Sequence, residues 1–162
     1  IDLVIDGGPC PVGVESTIVK VEDGRIRLLR PGGVPVEAIE ATTGLPVERP
    51  KAAGTAAIEA PGMLASHYAP NAPVRLEASG IAAGEALIRF GAAPVEGMEK
   101  AEAVFDLSPS GDLNEAAANL FGLLKKADQT GAAGIAVTPI PNHGLGEAIN
   151  DRLKRAAAPR EA

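Results

Sequence analysis

Apolar and polar positions keep one pattern up to Gly44, lose it over the next stretch, and resume in another form at Pro73. Ile1-Asp2-Leu3-Val4-Ile5 is a short apolar run that reads as a strand, broken by Asp6-Gly7-Gly8-Pro9. Thr17-Ile18-Val19-Lys20-Val21 alternates, with the β-branched enrichment of a half-buried strand. Glu22-Asp23-Gly24 predicts a tight turn in which Gly24 takes a positive φ. Arg25 to Arg30 is the return strand, stopped by Pro31-Gly32-Gly33. Val36 to Thr43 has helical spacing, and Gly44 supplies its C-cap. From Leu45 to Ala60 periodicity disappears among Pro46, Pro50, Gly54 and many alanines, the composition of a linker.

Beyond Pro73 strands and helices alternate. Val74–Glu77, Ala86–Phe90 and Ala103–Leu107 are predicted strands. Asp112 can cap a long helix from Leu113 to Ala127, with Leu113, Ala116, Ala117, Leu120, Phe121 and Leu124 on one apolar face. Gly134 to Thr138 is a fourth strand. A closing helix over 144–157 turns Ile149 and Leu153 inward and carries Arg152, Lys154 and Arg155 towards its C-terminal end, where cations suit the helix dipole. This order predicts an α/β protein with a small parallel, Rossmann-like sheet.

Composition sharpens that picture. The chain has 162 residues, enough for one ordinary domain or two small ones. Hydrophobic residues make up 46%, but aromatics only 2% with no Trp, so Ala, Val, Leu and Ile must fill the core, which favours α/β layers. A net charge of −6 argues against a broad nucleic-acid surface, which needs clustered Lys and Arg. The single cysteine, Cys10, cannot form an intramolecular disulfide, and its place between prolines suits a turn better than a nucleophile. No Cys/His spacing suits zinc, so no metal ligands are assigned. No apolar run approaches the roughly 20 residues of a membrane span. With no signal peptide read at the start, a reducing, cytoplasmic setting without membrane association is expected. The first residue is Ile1, already inside a strand-like run, and the chain is expected to be a piece of a longer protein.

Candidate chemistry sits at the ends of the hairpin. Ser16 precedes one strand and Arg30 ends the other, so the hairpin brings a hydroxyl and a guanidinium together. Arg suits carboxylate or phosphate because its fork bonds two oxygens at once. The plainer alternative is a solvated strand-end charge beside ordinary turn chemistry. The second unusual stretch is Ala60-Pro61-Gly62-Met63-Leu64-Ala65-Ser66-His67-Tyr68-Ala69-Pro70, where the only Tyr lies next to one of two histidines. It either pins the linker onto a surface or forms a lid that touches a ligand. The parallel sheet has no G-x-G-x-x-G after its first strand and no Walker A signature. Ser108-Pro109-Ser110-Gly111 before a helix N-terminus can bind an anion, but capping explains it equally well. His143 reads as a loop residue.

DGGPCPVGVESTIV, RLLRPGG, APGMLASHYAP and a small α/β segment ending in LGEAINDRLKRAA, taken in that order, resemble the two-domain L-threonylcarbamoyladenylate synthases. The resemblance covers essentially the whole chain. It implies residues 1–48 as the C-terminal part of a YrdC-like catalytic domain, 49–72 as an interdomain linker or lid, and 73–162 as a Rossmann-like domain. It also implies formation of threonylcarbamoyl-AMP and pyrophosphate from L-threonine, bicarbonate and ATP, with Mg²⁺ accompanying ATP. The product serves the t6A modification of tRNA, with other t6A-modification proteins as partners. By the same resemblance Ser16 contacts L-threonine, Arg30 contacts ATP, and His67 and Tyr68 approach the nucleotide, Tyr68 preferred. It assigns no catalytic residue.

This sequence departs from the family in two ways. The N-terminal part of the catalytic domain, with its basic and Ser/Thr-rich nucleotide-binding motifs, is not in this chain, so the chain alone is expected to be inactive and residues 1–48 poorly ordered. Any RNA contact would lie mainly in that other part. Leu64-Ala65-Ser66 also stands where aromatic and basic residues often precede His-Tyr. The alternative function is a non-catalytic regulatory or interaction module that controls lid closure or partner binding.

Overall fold

The computed structural model describes residues 1–8, 10–49 and 69–159. The hairpin forms as its alternation predicts, with β1 at Ile18–Glu22 antiparallel to β2 at Arg25–Arg30. Asp23 (φ 49°) and Gly24 (φ 72°) are both left-handed, the pair of positive angles a two-residue hairpin turn demands. The pairing slips between Ile18 and Val19, so that Ile18 faces Arg30 while Val19 faces Leu28. This irregularity lies next to Arg30 and bends the end of the hairpin.

Helix α1, Val36–Thr43, ends on Gly44 in the left-handed region, whose N–H bonds the Glu40 carbonyl. The stretch after it is not all linker, as its composition suggests. Val47–Glu48 forms β3, parallel to β2, with Val47 buried and its N–H donated to Glu40 Oε1 at 2.8 Å. Thus β2, α1 and β3 make a miniature β-α-β unit, and Ile26, Leu28, Val36 and Val47 form its core. Two residues carry no readable periodicity; the strand exists because β2 offers it a partner.

Ile1–Ile5 corrects the reading in the opposite direction. The apolar run carries no strand, and Ile1, Leu3, Val4 and Ile5 are exposed. A strand needs a neighbour for its peptide groups, and no described segment of the chain pairs with this one.

The second sheet is parallel throughout, with β4 (Val74–Arg75), β5 (Glu85–Phe90), β6 (Val104–Ser108) and β7 (Gly134–Val137) in the order β4-β7-β5-β6. Strand β7 is buried along its whole length and β5 over Ala86-Leu87-Ile88, the continuous apolar pattern of a covered parallel sheet. Helix α2 (Leu113–Asp128) crosses from β6 to β7 and buries Ala116, Ala117, Leu120, Leu124 and Ala127. Asp112 caps it by accepting from the Asn114 N–H at 2.7 Å. Helix α3 (Leu145–Ala157) adds Ile149 and Leu153 to the same core. Neither the link from β4 to β5 nor that from β5 to β6 contains an α-helix; the second has only a 3₁₀ turn at Met98–Lys100.

At one point the two parts of the fold meet at backbone distance. Gly13 lies so close to α2 that a Cβ there would fall within 3.0 Å of the Ala117 carbonyl and of Ala118 Cα. Val14 packs against the parallel-sheet core.

Candidate functional site

The segment ahead of β1 and the segment leaving β2 form a clasp. Thr17 Oγ1 donates to the Val34 carbonyl at 2.6 Å and accepts from the Val34 N–H at 3.0 Å. Gly33 N–H donates to the Glu15 carbonyl at 2.8 Å. Between these bonds Gly32 rests directly on the Ser16 peptide, with no room for a side chain. Pro31-Gly32-Gly33 therefore does more than end a strand.

The clasp brings Ser16 and Arg30 into direct contact. Arg30 donates from Nε (3.2 Å) and Nη2 (2.9 Å) to the Ser16 carbonyl, and Nη2 also lies 3.2 Å from Ser16 Oγ. Ser16 is exposed and Arg30 half-buried. A planar cation and a hydroxyl are thus held side by side at the surface, a pairing suited to an oxyanion with a polar neighbour.

The other motif residues fall elsewhere. His67 and Tyr68 lie outside the described residues. Ser108 is fully buried, yet its hydroxyl contacts Glu115 Oε2 and Ser110 Oγ and accepts from the Asp112 N–H, so the loop before α2 is closed on itself as capping predicts. His143 is exposed just before α3. Cys10 is exposed and, with Pro11, Val12, Ala118 and Phe121, borders an apolar groove of about 450 Å³. Among the described residues no group of three or more His, Cys, Asp or Glu can hold a metal ion. No helix among them is long and apolar enough to cross a membrane.

The residue that the sequence reading misplaced is Arg152. The sequence reading gives it only as one of three cations that suit the helix dipole, yet it is 1% exposed and bonded across to the first sheet. Its Nε donates to Glu15 Oε2 at 2.8 Å, Nη2 to the Pro31 carbonyl at 3.1 Å and Nη1 to Asp151 Oδ2 at 2.6 Å. The signal was present in the spacing, because Leu145, Ala148, Ile149, Arg152, Leu153 and Ala156 make one helical stripe, with Arg152 as its one charge. Two further contacts hold the start of α3 to the first sheet. Glu37 Oε1 accepts from the Gly144 N–H at 3.1 Å, and Arg49 forks onto Glu147 at 2.8 and 3.0 Å. Bonds from its own backbone N–H and from that of Gly144 hold the Glu37 carboxyl below the usual carboxylate range. The Glu147 hydrogen bond raises the Arg49 guanidinium.

The family model described as "Threonylcarbamoyl-AMP synthase, C-terminal domain" matches residues 34–158. The chain belongs to the threonylcarbamoyl-AMP synthase family. It is 35% identical to the Pyrococcus abyssi threonylcarbamoyl-AMP synthase over 179 aligned positions, covering 99% of this chain and 50% of that protein. The Bacillus subtilis threonylcarbamoyl-AMP synthase is 33% identical over 169 positions, covering 97% and 49%. The chain thus spans about half the length of the curated relatives it matches. Among solved structures it is similar to P. abyssi Sua5 complexed with L-threonine, with a TM-score of 0.74 and 31% identity over 94% of this chain and 48% of that one. Another, at TM-score 0.71 and 31% identity, is a P. abyssi Sua5 variant with a histidine and the following tyrosine changed to alanine; the match covers 94% of this chain and 47% of that one.

Proposed function

We propose that this chain forms part of an enzyme that makes threonylcarbamoyl-AMP and pyrophosphate from L-threonine, bicarbonate and ATP in the cytoplasm, for tRNA t6A modification. The observation that carries this reading is the Ser16–Arg30 contact at the mouth of the clasp. In it, Ser16 meets the threonine and Arg30 meets the phosphates of ATP, where a guanidinium offsets charge on a transferring phosphoryl group. Catalysis is then mostly orientation and charge stabilisation of an in-line attack on the α-phosphate. His67-Tyr68, the one His-Tyr pair of the chain, is the same dipeptide as the residues altered in the P. abyssi Sua5 variant. We assign it to a segment over 49–72 that folds across the nucleotide, between a catalytic part ending near residue 48 and an α/β domain over 73–162.

The described residues supply no carboxylate or histidine cluster for a metal ion. We assign Mg²⁺ as the companion of ATP, held by phosphate and water oxygens. Relatives named for a synthase favour this reading over a purely regulatory module.

The test is pyrophosphate release by the whole protein that carries this chain, with threonine and ATP varied in turn. Arg30→Ala is expected to raise the KM for ATP about tenfold or more, as loss of a charge-assisted bond does. Ser16→Ala is expected to act on the KM for threonine. Unchanged constants in both variants would leave the clasp a structural turn. The 162-residue chain alone is expected to be inactive; threonine-dependent pyrophosphate release from it would refute that part of the proposal.

A further inference from the structure

A fully buried guanidinium in a helix stripe is costly unless each part of the fork is bonded and countered by charge. Arg152 meets that condition by reaching out of its own sheet. Within α3 it is held by Asp151, which also takes Nε and Nη2 of Arg155, each at 3.0 Å. Its other two bonds go to the clasp, one to the Glu15 carboxylate and one to the Pro31 carbonyl. Glu15 immediately precedes Ser16, and Pro31 immediately follows Arg30.

The two arms of the clasp are therefore spanned twice. Arg30 reaches from one arm to the Ser16 carbonyl of the other. Arg152 grips both arms one residue further along, from a helix that belongs to the other sheet. The start of α3 is fixed independently by Glu37 on the Gly144 N–H and by Arg49 on Glu147. With its first turn and its middle both tied to the first sheet, α3 has little freedom to roll or slide. The fork of Arg152 then sets the spacing between the Ser16 and Arg30 segments. An ammonium cannot replace it, because Lys presents one point of charge where Arg directs separate donors at a carboxylate and a carbonyl.

We propose that Arg152 is a positioning residue for the site, through which α3 sets the geometry of Ser16 and Arg30 for a small hydroxyl- and carboxylate-bearing substrate and a nucleotide phosphate. The inference rests on the reading of Ser16 and Arg30 as substrate contacts. Misplacing reacting groups by about 1 Å costs up to about a hundredfold in rate, so loosening one of two spans should cost an appreciable part of that.

The experiment uses the whole protein that carries this chain and measures pyrophosphate release together with the melting temperature. Arg152→Lys and Glu15→Gln each remove the fork-to-carboxylate pairing while keeping polar groups in place. Because Glu15 is the half-buried partner and Arg152 the fully buried one, Glu15→Gln still folds if Arg152→Lys does not. Both are expected to lower kcat/KM about tenfold. Combined with Arg30→Ala, neither should lower it by more than about twofold further, since there would be no Arg30 contact left to position. Arg49→Ala cuts one of the two ties at the start of α3, while Glu37 keeps the other and Arg152 keeps its grip on the clasp. It is expected to lower the melting temperature with kcat/KM lowered no more than about twofold, and a tenfold loss would overturn the assignment of the geometry to Arg152.

If Arg30→Ala is impaired while Glu15→Gln and folded Arg152→Lys keep wild-type kinetics, the positioning role is overturned and the site reading stands. Effects that multiply fully with Arg30→Ala would also overturn it. If Arg30→Ala itself is unimpaired, the site reading fails and takes this inference with it.

Discussion

Gly32→Ala tests the clasp with a single methyl group. A Cβ at this position would lie closer than 3.0 Å to the Glu15 carbonyl oxygen, the Ser16 carbonyl carbon and the Thr17 nitrogen, all backbone atoms that no rotamer change can move aside. Gly32 does not have a positive φ, so the effect is steric and owes nothing to backbone strain. Restoring ordinary contact requires the arms to part by about 1 Å. That carries the 2.8 Å bond from Gly33 N–H to Glu15 and the 3.0 Å bond from Val34 N–H to Thr17 Oγ1 out of hydrogen-bond range. Overpacking of this kind costs about 1–3 kcal/mol, and each lost hydrogen bond adds about 1 kcal/mol. A total of about 3–5 kcal/mol raises the open population of the clasp by about a hundredfold or more. Native-state hydrogen exchange at the Gly33 and Val34 amides reads that opening directly. The control is Gly7→Ala, where a Cβ meets nothing within 4 Å. Should Gly32→Ala retain wild-type protection at both amides, the close packing of the arms, and the site geometry built on it, would be wrong.

Two further predictions concern the supporting frame. Gly122 lies exposed in the middle of α2, and a Cβ there would meet nothing within 4 Å, so Gly122→Ala should stabilise the chain by about 0.5–1 kcal/mol, seen as a higher denaturant midpoint at unchanged m value. Glu37 has its folded-state pKa depressed, first by its own backbone N–H and then by that of Gly144. Its contribution is therefore present above its ordinary value of 4.5 and is lost as pH falls through the lower folded-state value. Glu37→Gln should lower the melting temperature slightly at neutral pH, with the difference from wild type closing below pH 4.5; a difference constant across that range would remove Glu37 from the interface.

The parts of the fold that could be read in advance are those whose cause is local. The Asp23-Gly24 turn, α1 with Gly44, and α2 with Asp112 each carry their own start and stop chemistry within a few residues. Even the meeting of Ser16 with Arg30 follows from local rules, because a hairpin must return its ends to one another. The failures share the opposite property. β3 is a strand because β2 lies beside it, and Ile1–Ile5 is not one because nothing described does. Arg152 looked like a dipole-facing charge because its partners, Glu15 and Pro31, lie 137 and 121 residues away in sequence. The helical stripe alone placed it inward, and a charge on an apolar stripe is the signal that outweighs its position near a helix end.

The low aromatic content also bears on how this site is held. Large side chains would keep elements far apart; here Ala117 and Ala118 of α2 admit Gly13 to backbone distance, and Gly32 meets the Ser16 peptide in the same way. Contacts between backbones cannot relax by changing rotamer, so the segments carrying Ser16 and Arg30 are fixed against α2 on one side and against each other in the middle. Arg152 then adds a charged fork where backbone contact ends. The exposed Val19 and Val21 share a face with Leu28 and Ile26 but lie outside this frame. Substitutions there leave the clasp intact, whereas any side chain added at Gly13 or Gly32 acts on Ser16 through the main chain.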